Sequence, residues 1–212
     1  MNRLRKTHLI SFDFSGQDLE DLLEKLPLHL RSHSRRVAVS ASIIAGQAEK
    51  HLMHYLPAGT NLSMYAHLAG TCHDIGKLLL PPLITDREIY QRHPEIGASI
   101  LEKHRKTLFI NDTQARIVID TVRYHHENAD GSGYPDSLCA RDIPLVAGIC
   151  AVANELDHHL APEKGFGGDP GAVLFYIKSQ AGTVFCDSAV DFLESAWPWL
   201  VEQYDKWKLP AG

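Results

Sequence analysis

A chain of 212 residues with 44% hydrophobic and 22% charged side chains has the composition of one globular domain with a sizeable core, which excludes disordered and collagen-like classes. Its net charge of −5, with no basic run longer than Arg3-Leu4-Arg5-Lys6, argues against a DNA binder, because duplex affinity draws on clustered Lys and Arg. Cys72, Cys139, Cys150 and Cys186 form no CxxC pair, no run approaches the roughly 18 apolar residues of a membrane span, and the N-terminus lacks a signal-peptide core. Neither a disulfide framework, a zinc ribbon nor a membrane segment is therefore expected, and the cytoplasm is the expected location.

Helical periodicity recurs along the chain. Ser15 followed by Leu19, Leu22, Leu23 and Leu26 predicts an N-capped amphipathic helix that Pro27 interrupts. Residues 1–27 read as an N-terminal helical extension and 28–212 as one globular unit. From about 28 to 55, Val37, Ala41 and Ile44 repeat on the face of His33. A third helix, about 62 to 74, ends at His73-Asp74, with Gly76 as its stop. Thr85-Asp86-Arg87-Glu88 reads as a capping box for a short helix leading to His93. Pro94 opens the next helix, which carries Ile96, Ile100 and Leu101. Asn111-Asp112-Thr113 caps another, in which Ile117, Val118 and Val122 lead to His125-His126, and a polar, Gly-rich loop follows from Asn128 to Asp142. The apolar helix from Pro144 to about Leu160 carries Asn154 and Asp157 and is long enough to cross the core. Asp169-Pro170 starts a helix that Gly182 stops, and Asp187 caps a Trp-rich amphipathic helix with a kink expected at Pro198. No run alternates with period two, so the fold class is all-α, a single bundle of about seven to nine helices.

The 13 histidines are the anomaly of composition, and several fall in pairs or beside carboxylates. In His73-Asp74-Ile75-Gly76-Lys77, an imidazole and a carboxylate at a helix end can ligate one metal, or the carboxylate can bridge two. Lys77 places a cation where phosphate charge would develop. An isolated His-Asp pair is more often solvated at a helix terminus; the recurrence of histidines elsewhere weakens that reading. In His125-His126-Glu127, neighbours on a helix point about 100° apart, so both imidazoles converge only near a helix end or where two metals are served. The following Asp130-Gly131-Ser132-Gly133-Tyr134-Pro135 is too particular in composition for a generic connection. A phosphodiester is anionic and resists hydroxide. Two metals about 3.5–4 Å apart supply both a nucleophile at neutral pH and charge neutralisation. Imidazole and carboxylate donors suit iron, manganese, nickel or zinc better than calcium or magnesium.

Taken together, HSRRV around His33, HDIGK at 73–77, HPEIGASIL from His93, HHENADGSGYP at 125–135 and IPLVAGICAVAN at 143–154 resemble the HD-GYP family, a branch of the HD superfamily of metal-dependent phosphohydrolases. A weaker echo, AGTVFCDSAVDFL at 181–193, extends the match to roughly residues 28–195. The resemblance implies an HD-type helical bundle with a metal site in its core, holding two or three divalent transition metals, usually iron or manganese, and a phosphodiesterase that hydrolyses the bacterial second messenger cyclic di-GMP to linear pGpG or GMP. Carried over by position, it makes His33, His73, Asp74, His93, His125 and His126 metal ligands, with Asp74 bridging and central to catalysis. Lys77 would hold the scissile phosphate, and Gly133 and Tyr134 in the GYP loop would face the nucleotide. Nearly the whole chain is consumed by the match, so no receiver or sensory module is expected within it. A small nucleotide is the expected partner, without DNA or membrane, and a homodimer or a regulatory protein partner is compatible with the pattern.

Three departures bear on function. Where the family has a ligating Asp, this chain has Asn154, which offers a neutral amide oxygen. Where family members carry an Arg-Pro-Tyr-Arg type segment, the chain runs from His158-His159 through Pro162-Glu163-Lys164, and the loop after HDIGK is shorter than the family norm. Where trinuclear members have a Glu one turn before the first histidine, the chain has His29; sharing a helix face with His33 it could ligate the same ion, or it is solvated near Pro27. His158-His159 are expected to be solvated and Cys72 to be packed in the core. Beside the enzyme, two readings stay open: a catalytically degenerate sensor that binds a nucleotide or a protein, and an HD phosphohydrolase of another nucleotide.

Overall fold

The computed structural model describes residues 19–81, 83–161 and 168–208, and among these the chain folds into ten α-helical segments and no strand beyond isolated bridges. They are α1 (Leu19–Glu24), α2 (Leu28–Leu52), α3 (Leu62–Cys72), α4 (Arg87–Tyr90), α5 (His93–Lys103), α6 (Arg105–Leu108), α7 (Asp112–Tyr124), α8 (Leu145–Leu160), α9 (Pro170–Ser179) and α10 (Asp187–Lys208). The all-α expectation holds. Eight segments are longer than a single turn, within the expected seven to nine; α4, the short helix expected before His93, and α6 are turns of 4 residues each.

Local chemistry explains most boundaries. Pro27 is the N-cap of α2, and Ser15, the expected cap of the preceding helix, lies outside the described residues. Asn61, Asn111 and Asp169 each accept a hydrogen bond from a first-turn amide of α3, α7 and α9. The cap of α4 is Asp86 rather than Thr85: its carboxylate accepts from the amides of Glu88 and Ile89, an anionic acceptor outcompeting the neighbouring hydroxyl. Helix α10 runs through Pro198 without ending there, held by the buried Ala196 and Leu200 on either side. All four cysteines are free thiols, and no helix among the described residues is long and apolar enough to cross a membrane.

The largest apolar cluster joins α2 (Val37, Ala41, Ile44), α8 (Ile149, Val152, Leu156) and α10 (Leu193, Leu200, Tyr204), so α8 crosses the core as its apolar run predicts. A second joins Ala69 and Cys72 of α3 to Leu101 of α5 and Val118 and Val122 of α7. A third, Leu22 of α1 with Ile75 and Ile100, seats α1 on a 3₁₀ turn, Ile75–Leu79, that follows α3.

Gly76 lies within this turn. It does not act as the simple helix stop its position in the sequence suggests; α3 already ends at Cys72, and the turn runs on beyond the glycine to Leu79. A β-carbon on Gly76 would collide with the backbone oxygen of His93 and come within 2.6 Å of the Gly97 amide nitrogen. The glycine is what lets the turn carrying Asp74 press against the start of α5. Gly70 does the same for α3 and α2, where an added β-carbon would lie 2.7 Å from the Ala38 α-carbon. Replacing Gly76 by Ala is expected to lower unfolding stability by about 1–3 kcal/mol, the usual cost of forcing atoms into a filled contact. Chemical denaturation of the chelator-treated protein measures it; unchanged stability would show that α5 yields freely.

Candidate metal centre

Three histidines sit where a helix ends or begins, and the same local bond fixes each. His73 is the C-cap of α3, His125 the C-cap of α7, and His93 the first residue of α5, just after α4. In each, Nδ1 donates to the backbone carbonyl three residues earlier: Gly70 at 2.8 Å, Val122 at 2.9 Å and Tyr90 at 2.9 Å. Carbonyls in a last helical turn lack partners within the helix, so the imidazole N–H finds an acceptor ready-made. With Nδ1 carrying the proton, Nε2 keeps its lone pair. His33, in mid-helix on α2, reaches the same state differently: its Nδ1 donates to Asp157 Oδ2 at 2.7 Å.

The freed Nε2 atoms converge on Asp74. His93 Nε2 lies 3.3 Å from Asp74 Oδ1, while His73 Nε2 and His33 Nε2 lie 3.5 and 3.9 Å from Asp74 Oδ2. One carboxylate oxygen thus faces each of two donor groups, His33–His73–Asp74 and His93–His125–His126. His73, Asp74 and His93 are fully buried. Yet the Nε2 atoms of His73, His93 and His125, Asp74 Oδ1 and Asn154 Oδ1 have no hydrogen-bond partner among the described residues. Buried polar atoms are almost always satisfied. Five orphaned acceptors, three imidazole nitrogens and two oxygens, have the chemistry of a transition-metal donor set, and the residues present fit a pair of divalent ions.

Electrostatics prepare the donors. Burial lowers His73 and His93 to about 4 and also pushes His125 and His126 below the ordinary value, so all four imidazoles are neutral at pH 7. Burial pushes Asp74 up, but His73 and Lys77 outweigh it and hold the carboxyl well below its usual range. Lys77 Nζ donates to Asp74 Oδ2 at 2.6 Å, and Asp74 keeps the lysine charged against its own burial.

Sequence reading left unassigned the residues that support this set. Asp157 accepts from Arg36 Nε at 2.6 Å as well as from His33, locking the His33 tautomer. The signal was present in the spacing: Arg36 is one turn from His33, and Asp157 one turn from Asn154. Glu127 is buried and accepts from the amides of Asp136 (2.6 Å) and Leu138 (2.9 Å), pinning the loop that follows the histidine pair. Tyr134 stacks on His126 with ring centroids 4.8 Å apart. Gly133 packs against the backbone of 126–128 so closely that any side chain would overlap it, which brings Tyr134 over the site.

His29 is exposed and belongs to neither donor group. His158 and His159 are exposed, as expected, though His158 stacks on His33 at 5.2 Å and lines a cavity of about 210 Å³ with His125, His126 and Asn154. Cys72 is packed in the core and its thiol is pushed up to about 12 by burial, so it offers no thiolate. Residues 162–167 of the segment that replaces the arginine motif lie outside the described residues.

The lowered imidazole values set a direction for stability in the metal-free protein. Between about 4 and the ordinary 6.5, the unfolded chain binds protons that folded His73 and His93 refuse. Stability present at pH 7 is therefore lost as pH falls through that window. Thermal unfolding of chelator-treated protein should show a midpoint several degrees lower at pH 5 than at pH 7.5; a flat profile would mean that the folded site accepts protons.

A profile of the HD domain family matches residues 18–190. The chain is 35% identical over 135 residues to a cyclic di-GMP phosphodiesterase of Pseudomonas aeruginosa, covering 59% of this chain and 30% of that protein. It is 36% identical over 137 residues to a cyclic di-GMP phosphodiesterase response regulator of Xanthomonas campestris, covering 59% and 34%. It is 28% identical over 147 residues to a 3'3'-cGAMP-specific phosphodiesterase of Vibrio cholerae, covering 65% and 27%. The matches thus span about a third of these relatives' own length. With the profile covering most of the chain, the chain belongs to the HD domain family, in its HD-GYP branch.

Proposed function

We propose that this domain is a metal-dependent phosphodiesterase that opens cyclic di-GMP to the linear dinucleotide or to GMP. One observation carries the reading: five buried atoms without a partner among the described residues, one of them an oxygen of Asp74, gather at a carboxylate whose two oxygens face different histidine groups. His33, His73, Asp74 and Asn154 would hold one divalent ion, and Asp74, His93, His125 and His126 a second, with iron or manganese the metals favoured. Such a pair supplies a nucleophile at neutral pH and neutralises phosphoryl charge. The names of the relatives support the substrate class.

The chain's own residues do the rest. Asp74 stays ionised and fixes the spacing of the two donor groups. Lys77, charged and half-buried beside Asp74, binds a non-bridging oxygen of the scissile phosphate and stabilises charge as the P–O bond to the leaving sugar oxygen breaks. Tyr134, held over His126, presents a ring to the nucleotide. Asn154 favours a second reading, binding without turnover, because a neutral donor weakens one metal position.

Purified protein loaded with manganese or ferrous iron and assayed by chromatography on cyclic di-GMP, 3'3'-cGAMP and a generic phosphodiester tests the proposal. Metal-dependent conversion of cyclic di-GMP is expected; retention of two metals with every substrate intact overturns it in favour of the sensor. Asp74→Asn should lose bound metal and at least about 10³-fold of activity, since one carboxylate serves both donor groups. Lys77→Ala should keep its metals but lose about 10²–10³-fold in kcat, the scale seen when one transition-state donor is removed.

A further inference from the structure

Negative charge is scarce at this centre. Among the described residues of the two donor groups, Asp74 is the one carboxylate. Other carboxylates around it are committed elsewhere: Asp157 to His33 and Arg36, Glu127 to the amides of Asp136 and Leu138, and Glu155, which lines the adjoining cavity, to His159 at 3.0 Å. Lys77 Nζ, 2.6 Å from Asp74, offsets part of even that charge.

Asn154 stands where more charge would act. On α8 it lies between Cys150, whose thiol feels the Asp74 charge, and Asp157, which holds His33. Its side chain is 7% exposed, its Oδ1 has no partner, and it lines the cavity of about 210 Å³ together with His125, His126 and His158. An amide oxygen can complete a cation's shell, but it brings no charge. Two divalent cations would meet one carboxylate, in a buried setting where uncompensated charge is costly.

We propose that the missing charge is supplied by a phosphate-type oxyanion entering this cavity beside Asn154, so that metal and phosphate bind cooperatively at the centre. The inference rests on the metal-centre reading above. Thermodynamic linkage makes the coupling reciprocal: an anion that tightens the metal is tightened by it to the same factor. The domain would then fill its metal centre fully when a phosphoester is present, and would hold one ion loosely at rest.

Calorimetric titration of chelator-treated protein with manganese, with and without inorganic phosphate, tests this. Manganese titrated into phosphate alone corrects for complexation in solution. One ion is expected to bind in either buffer, and the second to bind at least about tenfold more tightly with phosphate; phosphate affinity should rise by the same factor with manganese. Asn154→Asp, which adds a carboxylate without changing shape, should tighten the second ion in phosphate-free buffer and shrink the enhancement below about threefold. Asn154→Ser, which adds no charge, should keep the enhancement and so separates charge from any structural effect. Two ions binding equally tightly in both buffers, or an enhancement undiminished in Asn154→Asp, overturns the inference and leaves the metal centre standing. Absence of manganese binding in both buffers overturns the metal centre, and this inference with it.

Discussion

The site depends on how each imidazole proton is disposed of. Nδ1 of His73, His93 and His125 is tied to a helix-end carbonyl and Nδ1 of His33 to Asp157, which leaves four lone pairs free, those of His33, His73 and His93 within 3.9 Å of Asp74. Among the described residues nothing answers the Nε2 atoms of His73, His93 and His125. Leaving a buried polar atom unsatisfied costs about 1–3 kcal/mol. A fold that accumulates several such atoms around one carboxylate holds destabilising free energy that a cation relieves, which couples metal binding to stability.

This constraint accounts for features that look unrelated. Histidines at helix ends need no extra residue to set their tautomer, and His73, His125 and His93 sit at the ends of α3 and α7 and just after α4. His33 in mid-helix has no free carbonyl, and it alone of the four requires a carboxylate and an arginine from elsewhere. Gly76 and Gly70 remove side chains where these elements must touch, so the helix ends approach closely enough for one carboxylate to face both donor groups.

On the substrate side, the loop after His126 is built to hold a ring in place. Glu127 anchors its far end through two amides, Arg123 pairs with Asp136 at 2.8 Å, and Gly133 lies flat on the chain, so Tyr134 has one seat. Two of the departures from the family pattern, Asn154 and His158 on α8, line the same cavity as His126 and Glu127 at the start of this loop.

Much of this was legible in the sequence because it is local. Helical periodicity, the Asn and Asp caps and the spaced histidine motifs each depend on residues within a turn or two of one another, and they fixed the fold class and the residues now gathered around Asp74. The single turn α6 escaped, since four residues carry no periodicity, and so did the choice of Asp86 over Thr85 as the cap of α4, which hangs on which oxygen reaches the amides. Only the tertiary structure could pair Asp157 with His33 across 124 positions of sequence, give Gly76 a packing role, leave His29 outside both donor groups and turn Asn154 towards the cavity. Sequence determines which donors a chain owns and which helix end each occupies; distances between those ends are set by how the helices pack, and no local pattern encodes them.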